Sequence, residues 1–61
     1  MLFLAKHKIG DIFMIKEDLM VILDIYNCNY LVYNITDSFE YQLSISGTDI
    51  LLSEKIWLLL G

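Results

Sequence analysis

A chain of 61 residues has room for one domain, because a chain of this length buries only about 60% of the surface that its unfolded form exposes. Its single cysteine, Cys28, excludes an intrachain disulfide, and Cys28 with His7 falls short of the roughly four ligands of a structural zinc site. The 57% hydrophobic content must therefore stabilise the fold through a core or through self-association, and we expect a homo-oligomer. A net charge of -4 without any arginine disfavours nucleic acid as a partner and favours a basic protein.

The N-terminal half predicts a strand followed by a hairpin. Gly10 and Asp11 should turn the chain into the first strand, and a polar turn follows that strand. Two segments rich in Val, Ile and Tyr then predict a hairpin, because Asn27 to Asn29 between them is turn-forming. The predicted elements are the strand 12–15, the turn 16–18, the strand 19–26, the turn 27–29 and the strand 30–35.

Strict alternation of apolar and polar residues predicts the next strand, Phe39 to Ile45. A second three-residue turn, Thr36 to Ser38, joins it to the preceding strand, so three consecutive strands form an antiparallel meander. With both turns counted as three residues, one face of the meander is almost wholly apolar and is the predicted core. That face holds Val21, Leu23, Ile25, Leu31, Tyr33, Ile35, Phe39, Tyr41, Leu43 and Ile45.

The C-terminal part allows two interpretations. In the first, a helical turn over 48–54 is capped by Ser46 or Thr48, and a last strand covers 55–60. Pairing of this strand with the apolar N-terminal segment 2–4 would close the sheet and remove its edges. In the second, one helix from Asp49 to Leu60 lies on an open sheet.

One segment reads Lys8-Ile9-Gly10-Asp11-Ile12-Phe13-Met14-Ile15, and the chain ends in Leu51-Leu52 and Trp57-Leu58-Leu59. With the strand pair between them, these segments resemble the small SH3-like barrels found in ribosome- and transcription-associated modules and in many tiny bacteriophage proteins. The resemblance implies a mainly β fold: a five-stranded antiparallel SH3-like barrel or curved sheet, with a short helical turn before the last strand. The richness in Ile, Lys, Asn, Asp and Tyr, without Pro or Arg, is similarly typical of an AT-rich phage genome.

The other face of the meander is the predicted protein-binding surface. It combines an apolar and aromatic patch with a polar rim, and Tyr and Met are enriched at interfaces. The predicted interface residues are Met20, Ile22, Asp24, Tyr26, Tyr30, Val32 and Glu40. Within this interpretation we favour self-association over a foreign partner. The alternative is that the terminal segment packs over this face and completes a second core layer.

No pattern in the sequence indicates catalysis. Cys28 and His7 would need an orienting third group and a pocket, and no nucleophile motif, phosphate loop or metal-ligand spacing is present. We therefore predict no enzyme activity, no catalytic residue, no cofactor and no metal.

The predicted function is non-enzymatic binding, as a small phage-type accessory or inhibitor protein that associates with itself and acts on a host or phage protein. The alternative is a small nucleic-acid-associated regulator of SH3-like type, in which Lys6, His7, Lys8 and Lys16 gather on one side. A structural subunit of a larger assembly and a binder of small signalling molecules at a subunit interface are further alternatives.

The sequence predicts neither membrane insertion nor export. No apolar run reaches the roughly 18 residues of a spanning helix, and the apolar start lacks the length and cleavage site of a signal peptide. The expected location is the cytoplasm, which is the host cytoplasm if the chain is phage-encoded.

Overall fold

Five antiparallel strands form one sheet, with one short helix, in the computed structural model, which describes residues 5–60. In chain order the elements are β1 (Ile12–Ile15), β2 (Asp18–Tyr26), β3 (Asn29–Asn34), β4 (Phe39–Ser44), α1 (Ile45–Ser53) and β5 (Leu58–Leu60). The strands lie in the order β4-β3-β2-β1-β5, so β5, which follows the helix in the chain, pairs with β1 at the edge of the sheet opposite β4. The predictions of a mainly β fold and of an antiparallel meander are confirmed.

The predicted turn before β1 is present. The backbone N–H of Asp11 donates to the Lys8 carbonyl at 3.0 Å, and Gly10 adopts a φ of 94°, a conformation that side chains disfavour. The Gly10 N–H donates to the Ile22 carbonyl at 2.8 Å, which fixes the start of β1 beside β2. The predicted pairing of segment 2–4 with the last strand lies outside the described residues.

The β2–β3 turn has two residues rather than the predicted three. Tyr26 pairs with Asn29, and the residues between them, Asn27 and Cys28, have φ values of 50° and 62°. Two successive positive φ values are the geometry of a type I′ turn, whose twist matches that of the flanking strands. The shorter turn moves β3 by one residue against β2, and such a shift exchanges the two faces of a strand.

The β3–β4 connection has four residues rather than three, because Asn34 pairs with Phe39. The side chain of Asn34 holds this loop: Oδ1 accepts from the N–H of Asp37 at 2.9 Å, and Nδ2 donates to Oδ2 of Asp18 at 3.0 Å. Thr36 Oγ1 accepts from the backbone N–H of Leu19 at 3.0 Å. The longer loop keeps β4 on its predicted face while β3 is reversed.

A bulge in β2 completes the change of register. Ile22 pairs with Val32 and Asp24 pairs with Leu31, so Leu23 is an extra residue without a cross-strand partner. Because an extra residue reverses the alternation, Ile25 on one side of the bulge and Ile22 on the other both point inward. Ile25 is thus packed against the core, as predicted, whereas Ile22 was predicted on the opposite face.

The face assignment made from the sequence is therefore wrong in β3 and in the first half of β2. The buried apolar residues are Phe13, Met20, Ile22, Tyr30, Val32, Ile45 and Leu52. They include four predicted interface residues, Met20, Ile22, Tyr30 and Val32. Of the predicted core, Val21, Leu31 and Tyr33 are half-buried on the opposite face, and Leu23, Ile35 and Phe39 are exposed.

The helix α1 packs against one side of the sheet. Ser44 caps it, since its Oγ accepts from the N–H of Gly47 at 3.2 Å, so neither predicted cap, Ser46 or Thr48, is the N-cap. The helix ends at Ser53, and the predicted alternative of one helix to Leu60 is wrong because Leu58–Leu60 pairs with β1. Trp57 stacks on Phe13 with ring centroids 5.9 Å apart.

Candidate functional site

The side of the sheet that faces away from α1 carries apolar side chains on four neighbouring strands. Cross-strand partners share a face, so the register places Tyr33, Val21, Ile12 and Leu60 in one row. A second row holds Leu19, Met14 and Leu58. We call this surface the outer apolar face, and define it as Ile12, Met14, Leu19, Val21, Leu31, Tyr33, Leu58 and Leu60.

Charge is confined to the rim of the outer apolar face. Asp24 pairs with Leu31, and Glu40 pairs with Tyr33 on the edge strand β4. The first row, from β3 to β5, and the second row, from β2 to β5, contain no charged side chain. Within residues 5–60, α1 covers only the other side of the sheet, where Ile45 and Leu52 pack into the core.

The remaining predicted interface residues, Asp24, Tyr26 and Glu40, are exposed on this same side of the sheet. Tyr26 Oη accepts from Nε2 of Gln42 at 3.0 Å, and Asn29 Nδ2 donates to Oε1 of Gln42 at 3.3 Å. These contacts form a polar border beside the apolar rows. That Asp24, Tyr26 and Glu40 contact a partner stays a prediction.

None of the eight residues of the outer apolar face is a predicted interface residue, although a signal for this surface is present in the sequence. The segments Ile12–Ile15, 19–23 and Leu58–Leu60 are continuous apolar runs, with no polar residue at alternate positions. Such runs are typical of strands that are covered on both faces. The alternating pattern of β4 instead predicts a strand with one solvent-facing side, and β4 carries Glu40, Gln42 and Ser44 toward solvent.

A second candidate is a cluster of polar side chains where α1 meets the sheet. Tyr30 Oη donates to Oδ1 of Asp49 at 2.7 Å, and the backbone N–H of Lys6 donates to Oδ2 of Asp49 at 3.3 Å. The His7 ring lies between two carboxylates, with Nδ1 at 3.8 Å from Oδ2 of Asp11 and Nε2 at 3.7 Å from Oδ1 of Asp49. The cluster fastens the N-terminal segment to the helix.

Burial and the hydrogen bond to Asp49 raise the pKa of the Tyr30 phenol well above its ordinary value. The side chain is fully buried, so the phenol stays neutral and acts as a hydrogen-bond donor. A neutral donor that already serves a neighbouring carboxylate is typical of a structural contact. No pocket opens beside the cluster within residues 5–60, and that part of the chain brings no group of metal-ligating side chains together.

The lysines predicted to gather for nucleic-acid binding are divided by β1. The backbone of Lys8 donates to Oδ2 of Asp11 before the strand, whereas Lys16 lies in the turn after it. A four-residue strand separates these positions by about 13 Å. Lys16 therefore lies at the opposite end of β1 from Lys8, and a common nucleic-acid surface for Lys6, His7, Lys8 and Lys16 stays a prediction.

No protein-family model, curated protein or solved structure matches this chain. In the described residues, 5–60, no helix has both the length and the apolar character needed to cross a bilayer.

Proposed function

We propose that this chain is a non-enzymatic binding protein that contacts another protein through the outer apolar face. One observation carries the proposal: a row of apolar side chains runs from β3 to β5 and a neighbouring row runs from β2 to β5, and neither row contains a charged residue. Contiguous exposed apolar patches of more than a few hundred Å² are rare on monomeric proteins and mark interaction sites, because burying apolar surface releases about 25 cal/mol per Å².

The polar cluster around Tyr30 and Asp49 is a weaker candidate for a binding site than the outer apolar face. Both oxygens of Asp49 accept hydrogen bonds from within the chain, and the Tyr30 phenol is buried among its partners. A side chain whose donors and acceptors are already used has little left to offer a ligand. We therefore assign the cluster to stability and the outer apolar face to binding.

We extend the proposal to the finer fold and to the biological role. Two features support an SH3-like arrangement: the last strand lies beside the first, and α1 stands between β4 and β5. A small accessory or inhibitor protein of phage type is the role that the sequence resemblance implies. The described residues form no pocket, and an apolar contact surface suits a protein that acts by binding another protein.

The proposal is tested by recovering partners with tagged protein from cells that also express the untagged chain. The substitution Leu58→Glu places a charge in the outer apolar face, and Ile50→Glu is its matched control on α1, since the two residues are 51% and 55% exposed. We expect the wild type and Ile50→Glu to recover the same protein, either the untagged chain or another. Leu58→Glu should recover at least about tenfold less. Equal recovery by all three would refute the proposal.

A further inference from the structure

We infer that the protein bound by the outer apolar face is a second copy of this chain, packed sheet against sheet about a twofold axis. The inference rests on the proposed function and names its partner. A twofold contact brings the same patch of both subunits together, so the patch must be complementary to itself. An uncharged apolar surface meets that condition, whereas a charged surface would be placed opposite the same charges of the other subunit.

Electrostatics decides where such a contact lies. Each chain carries a net charge of -4, so two copies repel one another unless their acidic residues stay apart. Asp11 and Asp49 lie beside His7 on the α1 side, and Asp18 is bonded to Asn34. Asp24, paired with Leu31, and Glu40, at the β4 edge, lie at the border of the uncharged rows. The outer apolar face is thus the surface on which two copies meet with least repulsion.

The positions of the acidic residues also argue against a basic protein as the partner, which the net charge by itself favours. Electrostatic complementarity requires opposite charges to face each other across a contact. On this side of the sheet the carboxylates of Asp24 and Glu40 lie at the rim, and the two rows of apolar side chains contain none. A cation placed over the two rows would be desolvated without compensation, whereas a second copy brings an apolar surface.

The dimensions suit a stable dimer. The chain measures 34 × 23 × 17 Å, so a contact over the whole broad side, with the outer apolar face and its polar rim, is of the same order as the ~800 Å² that each partner buries in a standard interface. Two packed sheets lie about 10 Å apart with strands within about 30° of alignment, and their inner faces are then both apolar. In the dimer, strands β1 and β2 become covered on both sides, which explains their continuous apolar sequences.

The test is the mass of the purified full chain by light scattering over about 1 to 500 µM. We expect a dimer for the wild type and for Ile50→Glu. Leu58→Glu should raise the dimer dissociation constant about 30-fold or more, because each interface then buries two unpaired carboxylates. Circular dichroism at each concentration establishes that the variants remain folded.

A second variant separates this dimer from one made by pairing of the β5 edges. Tyr33 lies three strands from β5, about 14 Å away. Glu40 is its cross-strand neighbour on β4, so the lysine of Tyr33→Lys can pair with the Glu40 carboxylate and the monomer stays stable. Tyr33→Lys should also dissociate the dimer. A dimer that survives either Leu58→Glu or Tyr33→Lys overturns the inference.

A folded wild-type monomer at every concentration likewise overturns it, and leaves segment 1–4 or a foreign protein as the occupant of the face. The recovery experiment then decides the proposed function independently. A foreign protein recovered by the wild type and by Ile50→Glu, and lost with Leu58→Glu, would preserve the binding function while rejecting the second copy. Failure of both experiments would reject both.

Discussion

Tyr30 on β3 donates a 2.7 Å hydrogen bond to Asp49 on α1, and this contact joins the centre of the sheet to the helix. The phenol oxygen also accepts from the backbone N–H of His7 at 3.3 Å. Removing the hydroxyl leaves a buried carboxylate short of a donor, and hydrogen bonds to charged groups contribute about 1.5–3 kcal/mol. The contact therefore accounts for a large part of the stability expected of so small a chain.

We predict that Tyr30→Phe lowers the free energy of unfolding by about 1.5–3 kcal/mol. The control is Tyr26→Phe, because Tyr26 is exposed and its Oη accepts a hydrogen bond from the exposed Gln42 side chain. That substitution should cost less than about 0.5 kcal/mol. Urea unfolding of the three proteins at one concentration measures both values, and equal costs would contradict the role given to Tyr30.

The raised pKa of Tyr30 predicts a loss of stability in alkali. A group whose pKa is higher in the folded state than in the unfolded state stabilises the fold fully below the unfolded value, which is about 10 for tyrosine. The contribution is lost as the pH rises above that value. The stability difference between the wild type and Tyr30→Phe should thus be constant from pH 7 to about 9 and shrink above about 10. A difference that stays unchanged at high pH would refute the argument.

The neighbours Ile22 and Leu23 test the bulge and the corrected faces. Ile22 is 1% exposed in the core, and Leu23 is exposed at the bulge. Ile22→Ala should cost about 2–5 kcal/mol and Leu23→Ala less than about 1 kcal/mol. The register predicted from the sequence requires the reverse order, so two urea midpoints distinguish the two registers.

Cys28 has a φ of 62° in the β2–β3 turn, a conformation that costs a non-glycine residue about 1 kcal/mol. We predict that Cys28→Gly raises stability by about 0.5–1 kcal/mol, since Asn-Gly is the preferred pair for a type I′ turn. Cys28→Ala removes the thiol but keeps the positive φ, and should change little. Thermal unfolding under reducing conditions compares the two.

Asn34 sets the length of the β3–β4 loop through its bonds to Asp37 and Asp18. Asn34→Asp keeps the acceptor for the Asp37 N–H but sets a carboxylate against Asp18. Two adjacent carboxylates cannot both ionise cheaply, so the loss of stability should be greatest at neutral pH and shrink toward about pH 4. Asn34→Ala should lose about 1–3 kcal/mol without that recovery. A loss for Asn34→Asp that is independent of pH would contradict the contact with Asp18.

Local patterns in the sequence determined which residues form strands and where the chain turns. The alternation of β4, the Val- and Ile-rich runs of β2 and β3, and Gly10-Asp11 before β1 predicted these elements to within a residue or two. The absence of disulfide pairing follows from one cysteine. These features depend on interactions between residues close in sequence, which a sequence shows directly.

Only the tertiary structure decided which face of the sheet is the core. Strand alternation has a period of two, so one residue more or less in a turn reverses a face. The two-residue turn at Asn27-Cys28, the bulge at Leu23 and the four-residue loop after Asn34 each changed that count. Both faces of β2 are apolar, and composition could not choose between them. In the folded chain the core is the side that α1 covers, and there the Tyr30 hydroxyl donates to Asp49 of that helix.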